Sequence, residues 1–430
     1  MKPCTTTAIN NAMVMTMEPG KAIVEEGSIL VEGDCIADIR SGTGFPSAPH
    51  RQVIDGTHLL VMPGLVNCHT HLPMSLFRGL ADDLPLDIWL HEHMFPAEAA
   101  QMSPAIAEKW ALRSCRELLL SGTTCCCDGY FYEDHVAKGV EKSGIRAVLG
   151  QGVMDFPAPG VPDPGENIAV AEKFIDKWKN KNPRIHPSIF CHSPYTCSAR
   201  TLKRAKEMAD SREVLFQVHV AETRNEMELI LSNQGESADS VVQYLDGLDI
   251  LNRHTLMVHC VWLDEKDIDI VKRKHSPVVH CPESNMKLAS GIAPVQSLMA
   301  AGIEVGLGTD GSASNNNLDL FSEMDMAAKL QKVALDDPCV LKAKSVVEMA
   351  TLGGARVLGL DQHIGSLAVG KQADLIAINL RQPHLVPLYD PYSTLVYNAR
   401  GSDVIHVMVG GVFRIENRIW MADYSSGQMT

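Results

Sequence analysis

Apolar positions along this chain change rhythm twice. Up to about residue 61 they come in short alternating runs, at 8–16, 23–31 and 35–39, divided by turn residues. Alternation with a period of two is what a half-buried strand requires. The second run is expected to break at Glu25-Glu26-Gly27, and Glu32-Gly33-Asp34 reads as a tight hairpin turn. A small β unit follows from the pattern.

From Leu59 the rhythm becomes strand, loop, helix, repeated. Strand candidates are 59–68, 123–128, 145–153, 185–191, 215–220, 255–258, 277–279 and 305–308. Helical patterns lie between them, for example at 105–121, 167–179, 199–210 and 318–332. Eight strands alternating with helices predict an α/β fold, a closed (β/α)8 TIM barrel. An open doubly wound sheet predicts instead a glycine-rich phosphate turn after its first strand, and none is present.

After a helix at 341–360 carrying Gly353-Gly354, residues 370–378 and 404–409 read as strands, with Gly410-Gly411 as a hairpin turn. Pairing the two flanks makes a composite β-sandwich from both termini. The expected division is therefore 1–61 and 365–430 for the sandwich and 62–364 for the barrel. Residues 425–430 read as a fraying tail.

Composition narrows the class. The net charge of -14 leaves no basic stripe for nucleic acid. No apolar run approaches the roughly 18 residues of a membrane span. The opening Met1-Lys2-Pro3-Cys4-Thr5 lacks a signal-peptide core, so a cytoplasmic protein is expected. Of twelve cysteines, Cys125-Cys126-Cys127 form a run that reads as buried strand, and no C-x-x-C pair occurs outside it. Reduced thiols are expected. A homo-oligomer, dimer or tetramer, follows only from base rates.

The chemistry begins at Met62-Pro63-Gly64-Leu65-Val66-Asn67-Cys68-His69-Thr70-His71. Residues i and i+2 of a strand share a face, so His69 and His71 can present two imidazoles together. Taken alone, the pair fits two histidines packed at a strand end equally well. In a barrel, however, catalytic groups stand at the C-terminal ends of the strands. Six of the seventeen histidines fall there: His69, His71, His192, His219, His259 and His280.

Asp310 closes the eighth strand candidate. Alone it reads as readily as a helix N-cap. With His69, His71 and His219 it makes a donor set for zinc or a related divalent ion. No lysine ends the fourth strand, where His192 stands, which argues against two metals bridged by a modified lysine. A bound metal lowers the pKa of its water from about 15.7 to about 7. Asp310 can then take the water's proton, and Glu222 is free to carry one to the substrate. His259 can hydrogen-bond the attacking oxygen. The role of His280 stays open.

These residues resemble the amidohydrolase superfamily, and most closely its 5-methylthioadenosine/S-adenosylhomocysteine deaminases. The resemblance runs along nearly the whole chain. It is carried by the Pro63 to His71 run, Arg78-Gly79-Leu80-Ala81-Asp82-Asp83-Leu84-Pro85-Leu86, His192-Ser193-Pro194-Tyr195 and His219-Val220-Ala221-Glu222-Thr223. Two later motifs add to it, Pro282-Glu283-Ser284-Asn285-Met286-Lys287-Leu288 and Gly308-Thr309-Asp310-Gly311-Ser312-Ala313-Ser314-Asn315-Asn316.

The resemblance implies one zinc ion per chain on His69, His71, His219 and Asp310, and a purine nucleoside as the small-molecule substrate. Water would attack C6 of the adenine ring, with Glu222 protonating N1 and His259 assisting, to give ammonia and the inosine analogue. Glu98 is implied as the ribose-hydroxyl binder, His192 as a purine contact, and Trp89 and Ser314 as pocket wall. Relatives that take S-adenosylhomocysteine are expected to offer an arginine past the third strand. Here 149–165 holds neither arginine nor lysine. A buried carboxylate without a cationic partner costs several kcal/mol, so 5′-methylthioadenosine and adenosine are expected to be preferred. Two alternatives stand beside this reading. One is an aminohydrolase of s-triazine, guanine or a pterin; the other, of a different class, is a non-catalytic barrel scaffold.

Overall fold

The computed structural model describes residues 6–421, so the tail expected to fray lies outside the described residues. Its centre is a parallel eight-stranded sheet in sequence order. The strands are Leu65–Thr70, Thr123–Tyr130, Arg146–Val153, Ile185–Cys191, Phe216–Val220, Thr255–His259, Val278–His280 and Val305–Leu307. Thr70 bridges to Asp310, and the Asp310 N–H donates to the His69 carbonyl at 3.0 Å. Those contacts close the sheet into a barrel.

Parallel neighbours need long crossovers, and helices supply them, among them Pro104–Leu120, Asn167–Trp178, Ala199–Ser211 and Leu320–Leu335. Pro104–Leu120 shows why such a segment becomes a helix. Ser103 caps it by accepting from the Ile106 N–H, Pro104 suits the first turn, and Ala107, Ala111, Ser114, Cys115 and Leu118 form one buried face.

The barrel interior explains the cysteines. Val66, Cys68, Cys125, Cys127, Val148, Leu256, Val258 and Val279 come from strands on opposite sides yet form one buried cluster. Cys126, of opposite parity, joins the large core that includes the helices. Every cysteine among the described residues is unpaired. Burial pushes the Cys125 thiol up to about 12, as suits inert filling.

Both ends of the chain build the second, nine-stranded sheet. Leu59–Pro63 pairs antiparallel with Leu375–Asn379. Leu59, Val61, Leu375 and Ala377 enter a core belonging to this sheet, while Leu60, Met62, Ile376 and Ile378 join the large core. Both strands are therefore buried on both faces. At the same junction Arg146 of the third barrel strand donates to Asp374 from Nε at 2.9 Å and Nη2 at 3.1 Å.

Three sequence-based boundaries change. The run expected as one strand over 59–68 is two, and Gly64 carries the chain from one sheet to the other. A Cβ there would lie 2.1 Å from Thr124 Oγ1. The expected break at Glu25-Glu26-Gly27 is absent, and Val24–Glu32 runs through it with partners on both sides. Gly27 is needed there because Val14 Cγ2 would sit 2.7 Å from a Cβ. The strand expected from Gly370 begins only at Leu375, since Gly370, at φ 87°, still turns the chain. The Gly410-Gly411 hairpin appears as expected, with φ of 55° and 71° suiting a tight turn.

Arg146 and Asp374 are both nearly fully buried. Asp374→Ala strands the guanidinium in the core, so unfolding free energy is expected to fall by about 3–5 kcal/mol. Urea denaturation measures it, and an unmoved midpoint would contradict this account of the junction.

Candidate active site

The C-terminal ends of the barrel strands meet at one buried point. His71 Nε2 lies 3.2 Å and His69 Nε2 lies 3.4 Å from Asp310 Oδ1. His219 Nε2 stands 3.1 Å from His69 Nε2, and His259 approaches the same two imidazoles. The structure thus brings together the four side chains expected to hold a metal, with His259 against them.

These distances fit a divalent ion. Ligand bonds of about 2.0–2.1 Å in a tetrahedron set donor atoms about 3.4 Å apart. The hydrogen bonds behind the donors fit as well. His71 Nδ1 donates to the Gly129 carbonyl at 2.6 Å, which leaves the Nε2 lone pair facing the centre. Asp310 Oδ2 accepts from Ser284 Oγ at 2.6 Å and Ser314 Oγ at 2.8 Å, and Oδ1, which accepts from the Gly311 N–H at 2.7 Å, faces the histidines. Ser314, expected as pocket wall, lines the cleft and also steadies this carboxylate.

Electrostatics point the same way. Burial, helped by neighbouring imidazoles, holds His219 well below the usual histidine range, and burial holds His69 down at about 4. Burial works against a charge on His71 too, but the Asp310 and Asp128 carboxylates outweigh it and raise the group to about 9. Asp310 is held well below the carboxylate range despite burial, because His69 and His71 bond to it. His69 and His219 present neutral nitrogens and Asp310 an ionised oxygen, while His71 must give up a proton to bind a cation.

Glu222 and His259 stand beside the cage. Glu222 Oε2 is 3.8 Å from His259 Nε2, and Ser290 Oγ donates to Oε1 at 3.4 Å. Burial raises the Glu222 carboxyl, with His259 opposing. His259 donates from Nδ1 to Asn285 Oδ1 at 2.9 Å and so turns Nε2 toward the cage. Its φ of 73° and the 61° of Asp310 are left-handed conformations, costly outside glycine and frequent where a site over-determines the backbone.

A cleft opens from this point. Trp89, Glu98, His192, Glu222, His259, Asp310 and Ser314 all line it, so every residue expected to touch substrate faces one space. Glu98, in the helix Phe95–Gln101, accepts a hydrogen bond from the Tyr130 hydroxyl. Burial raises Glu98 to about 7, against the pull of Tyr130 and His71. Burial holds His192 down at about 3, as a neutral ring. His280 is fully buried, with no partner for either nitrogen among the described residues, and it is not among the cleft residues.

Asn67, Tyr130, Ser284 and Asn285 escaped the sequence reading as positioning groups. Tyr130 could have been found, because it ends the second barrel strand. Ser284 and Asn285 lie inside the Pro282 to Leu288 motif, but nothing in their spacing told which side chain they would meet.

Residues 60–414 match the model of the amidohydrolase family. The chain belongs to that family. It is 43% identical over 410 residues to a 5-methylthioadenosine/S-adenosylhomocysteine deaminase of Thermodesulfovibrio yellowstonii, covering 94% of this chain and 92% of that protein. It is 45% identical to a 5′-deoxyadenosine deaminase of Methanothermobacter thermautotrophicus, covering 90% and 89%. The crystal structure of a zinc-bound adenosine deaminase from Xanthomonas campestris superposes with a TM-score of 0.91 at 36% identity, over 97% and 94% of the two chains. A triazine hydrolase variant shares the fold, at 22% identity and a TM-score of 0.89.

Within this amidohydrolase, removing a hydrogen bond behind a metal donor is expected to weaken divalent-ion affinity roughly 10–100-fold. Ser284→Ala tests it by competition against a chromogenic chelator. Wild-type affinity in the variant would contradict the placement of the ion at Asp310.

Proposed function

We propose that the chain is a metal-dependent nucleoside aminohydrolase, a hydrolase of the amidine C–N bond. It converts the adenine ring of 5′-methylthioadenosine, adenosine and related nucleosides to the inosine analogue with release of ammonia. The observation that carries this reading is the arrangement along one cleft. Glu222 and His259 flank the donor cage, where a ring carbon can be attacked, and Glu98 waits farther along as an acceptor for ribose hydroxyls. A base at one end and a sugar at the other match that order.

One zinc ion on His69, His71, His219 and Asp310 fits the donor set, and the zinc in the Xanthomonas relative supports it. Such an ion supplies Lewis acidity and water of pKa about 7. The protein's own residues do the rest. Asp310 takes one proton from the attacking water as its oxygen bonds to C6. His259 steadies that oxygen through Nε2, and Glu222 gives its proton to N1. The proton on Asp310 then goes to the amino group, the C6–N6 bond breaks, and ammonia leaves. The new hydroxyl returns its proton to Glu222, so both carboxyls are restored. His192 and Trp89 hold the purine plane, and Ser314 keeps Asp310 in register.

In this reading residues 62–364 are the catalytic unit, with the sheet from both termini as its support. The enzyme works in the cytoplasm as a homo-oligomer, and its partner is a small purine nucleoside.

The identifying experiment is an ammonia-release screen of the zinc-loaded enzyme on adenosine derivatives, guanine, pterins and s-triazines. Adenosine derivatives are expected to lead. Activity confined to the ribose-free rings would overturn the proposal. In Glu222→Gln, kcat is expected to drop by about 10²–10⁴ while metal content holds; a near-normal kcat would remove Glu222 from the proton path.

The pH dependence of substrate binding follows from Glu98. Its group is raised to about 7, so the accepting carboxylate is scarce at pH 6 and dominant at pH 8. KM for nucleosides is expected to fall as pH rises through that interval, and Glu98→Gln should flatten the profile. A wild-type KM that is flat or rising across it would contradict the role of Glu98.

A further inference from the structure

Two buried carboxyls take no part in the proposed chemistry. Asp128 lies near the end of the second barrel strand, and Glu133 opens the helix Glu133–Ser143 that follows it. Tyr132, at φ 53°, turns the chain between them, and both side chains are fully buried. The Glu133 N–H donates to Gln151 Oε1 at 3.2 Å, which ties the helix start to the third barrel strand.

Asp128 grips the segment that carries His71. Its Oδ1 accepts from Thr70 Oγ1 at 2.8 Å and from the Leu72 N–H at 2.6 Å, the residues on either side of that donor. The next residue, Gly129, accepts from His71 Nδ1 through its carbonyl. Three hydrogen bonds to one strand end therefore fix three consecutive residues of the cage.

The other side of Asp128 faces Glu133, and the two carboxyls lie within hydrogen-bonding reach of each other. Asp128 Oδ2 and both Glu133 oxygens find no N–H or hydroxyl donor among the described residues. Two ionised carboxylates cannot share such a contact inside a core, so one proton lies between them. Burial raises Asp128, but the Leu72 N–H, His71 and Thr70 oppose it. Glu133 has no such support, and burial together with the Asp128 charge pushes it well above the carboxylate range. The proton therefore sits on Glu133, whose hydroxyl donates to Asp128 Oδ2.

We propose that Asp128 and Glu133 are one positioning unit behind the metal site, holding a single proton and setting a single negative charge beside His71. A neutral pair would leave a cation at His71 without this field, and a doubly charged pair would add repulsion inside the core. The inference needs an ion on His71 but not the nucleoside reading. Absence of zinc uptake by wild type would overturn the ion placement and this inference together, whereas the amide variants bear on the carboxyl pair alone.

The test uses those isosteric amides. Glu133→Gln keeps a donor toward Asp128. Asp128→Asn keeps the acceptor for Thr70 and Leu72 and moves the charge to Glu133. Only the double variant removes the charge. In competition for zinc against a chromogenic chelator, Glu133→Gln is expected to stay within about threefold of wild-type affinity and Asp128→Asn to lose about tenfold. The double variant is expected to lose at least about tenfold more than Asp128→Asn. A double variant no weaker than Asp128→Asn, or a loss of about tenfold in Glu133→Gln, would overturn the shared charge. Infrared difference spectroscopy reads the proton itself. At about pH 8, wild type is expected to show a carboxylic-acid carbonyl stretch that Glu133→Gln lacks. An acid band unchanged in that variant would place the proton elsewhere and overturn the proposal, even if the double variant fails to fold.

Discussion

The seam between the first and last barrel strands is the constraint on which the rest of this molecule depends. Asn67 holds it. Its Oδ1 accepts from the Thr309 N–H at 3.1 Å and the His69 N–H at 3.3 Å, while its Nδ2 donates to Thr309 Oγ1 at 2.8 Å. Gly308 allows the approach, since a Cβ there would fall 2.9 Å from His69 Cβ. His69 and His71 come from one side of this seam and Asp310 from the other. Closing the barrel and assembling most of the cage are one event.

The cage in turn sets what the neighbouring groups can do. Three buried imidazoles and a carboxylate would repel or waste hydrogen-bonding capacity without a cation between them. Two serines hold Asp310 Oδ2, and Oδ1, which accepts from the Gly311 N–H, faces the histidines. Burial raises the Glu222 carboxyl, while His69 and His71 hold Asp310 well below the carboxylate range, so their surroundings push the two groups in opposite directions. That difference suits a reaction that must take a proton from water and deliver one to a ring nitrogen.

Much of this was legible in the sequence, for identifiable reasons. Barrel chemistry sits at strand ends, so histidines at the ends of five strand candidates were informative without any knowledge of loops. The run at 59–68 misled because one apolar stretch serves two sheets, and only the crowding of Gly64 against Thr124 marks the change. Asn67, Ser284 and Asn285 were illegible as positioning groups because each acts on a side chain or backbone that only the folded barrel brings near. His280 illustrates the opposite limit. It fits the strand-end pattern, yet it lies buried, finds no partner among the described residues and does not line the cleft.

The proposed chemistry turns on attack by water at C6 of the purine within this cage. Turnover of 5′-methylthioadenosine in ¹⁸O-labelled water, followed by mass spectrometry of both product fragments, tests that directly. One labelled oxygen on the base, with the glycosidic bond intact and an equivalent of ammonia released, is the predicted result. Label on the sugar with free adenine would contradict it, because the same donors would then be serving cleavage at C1′.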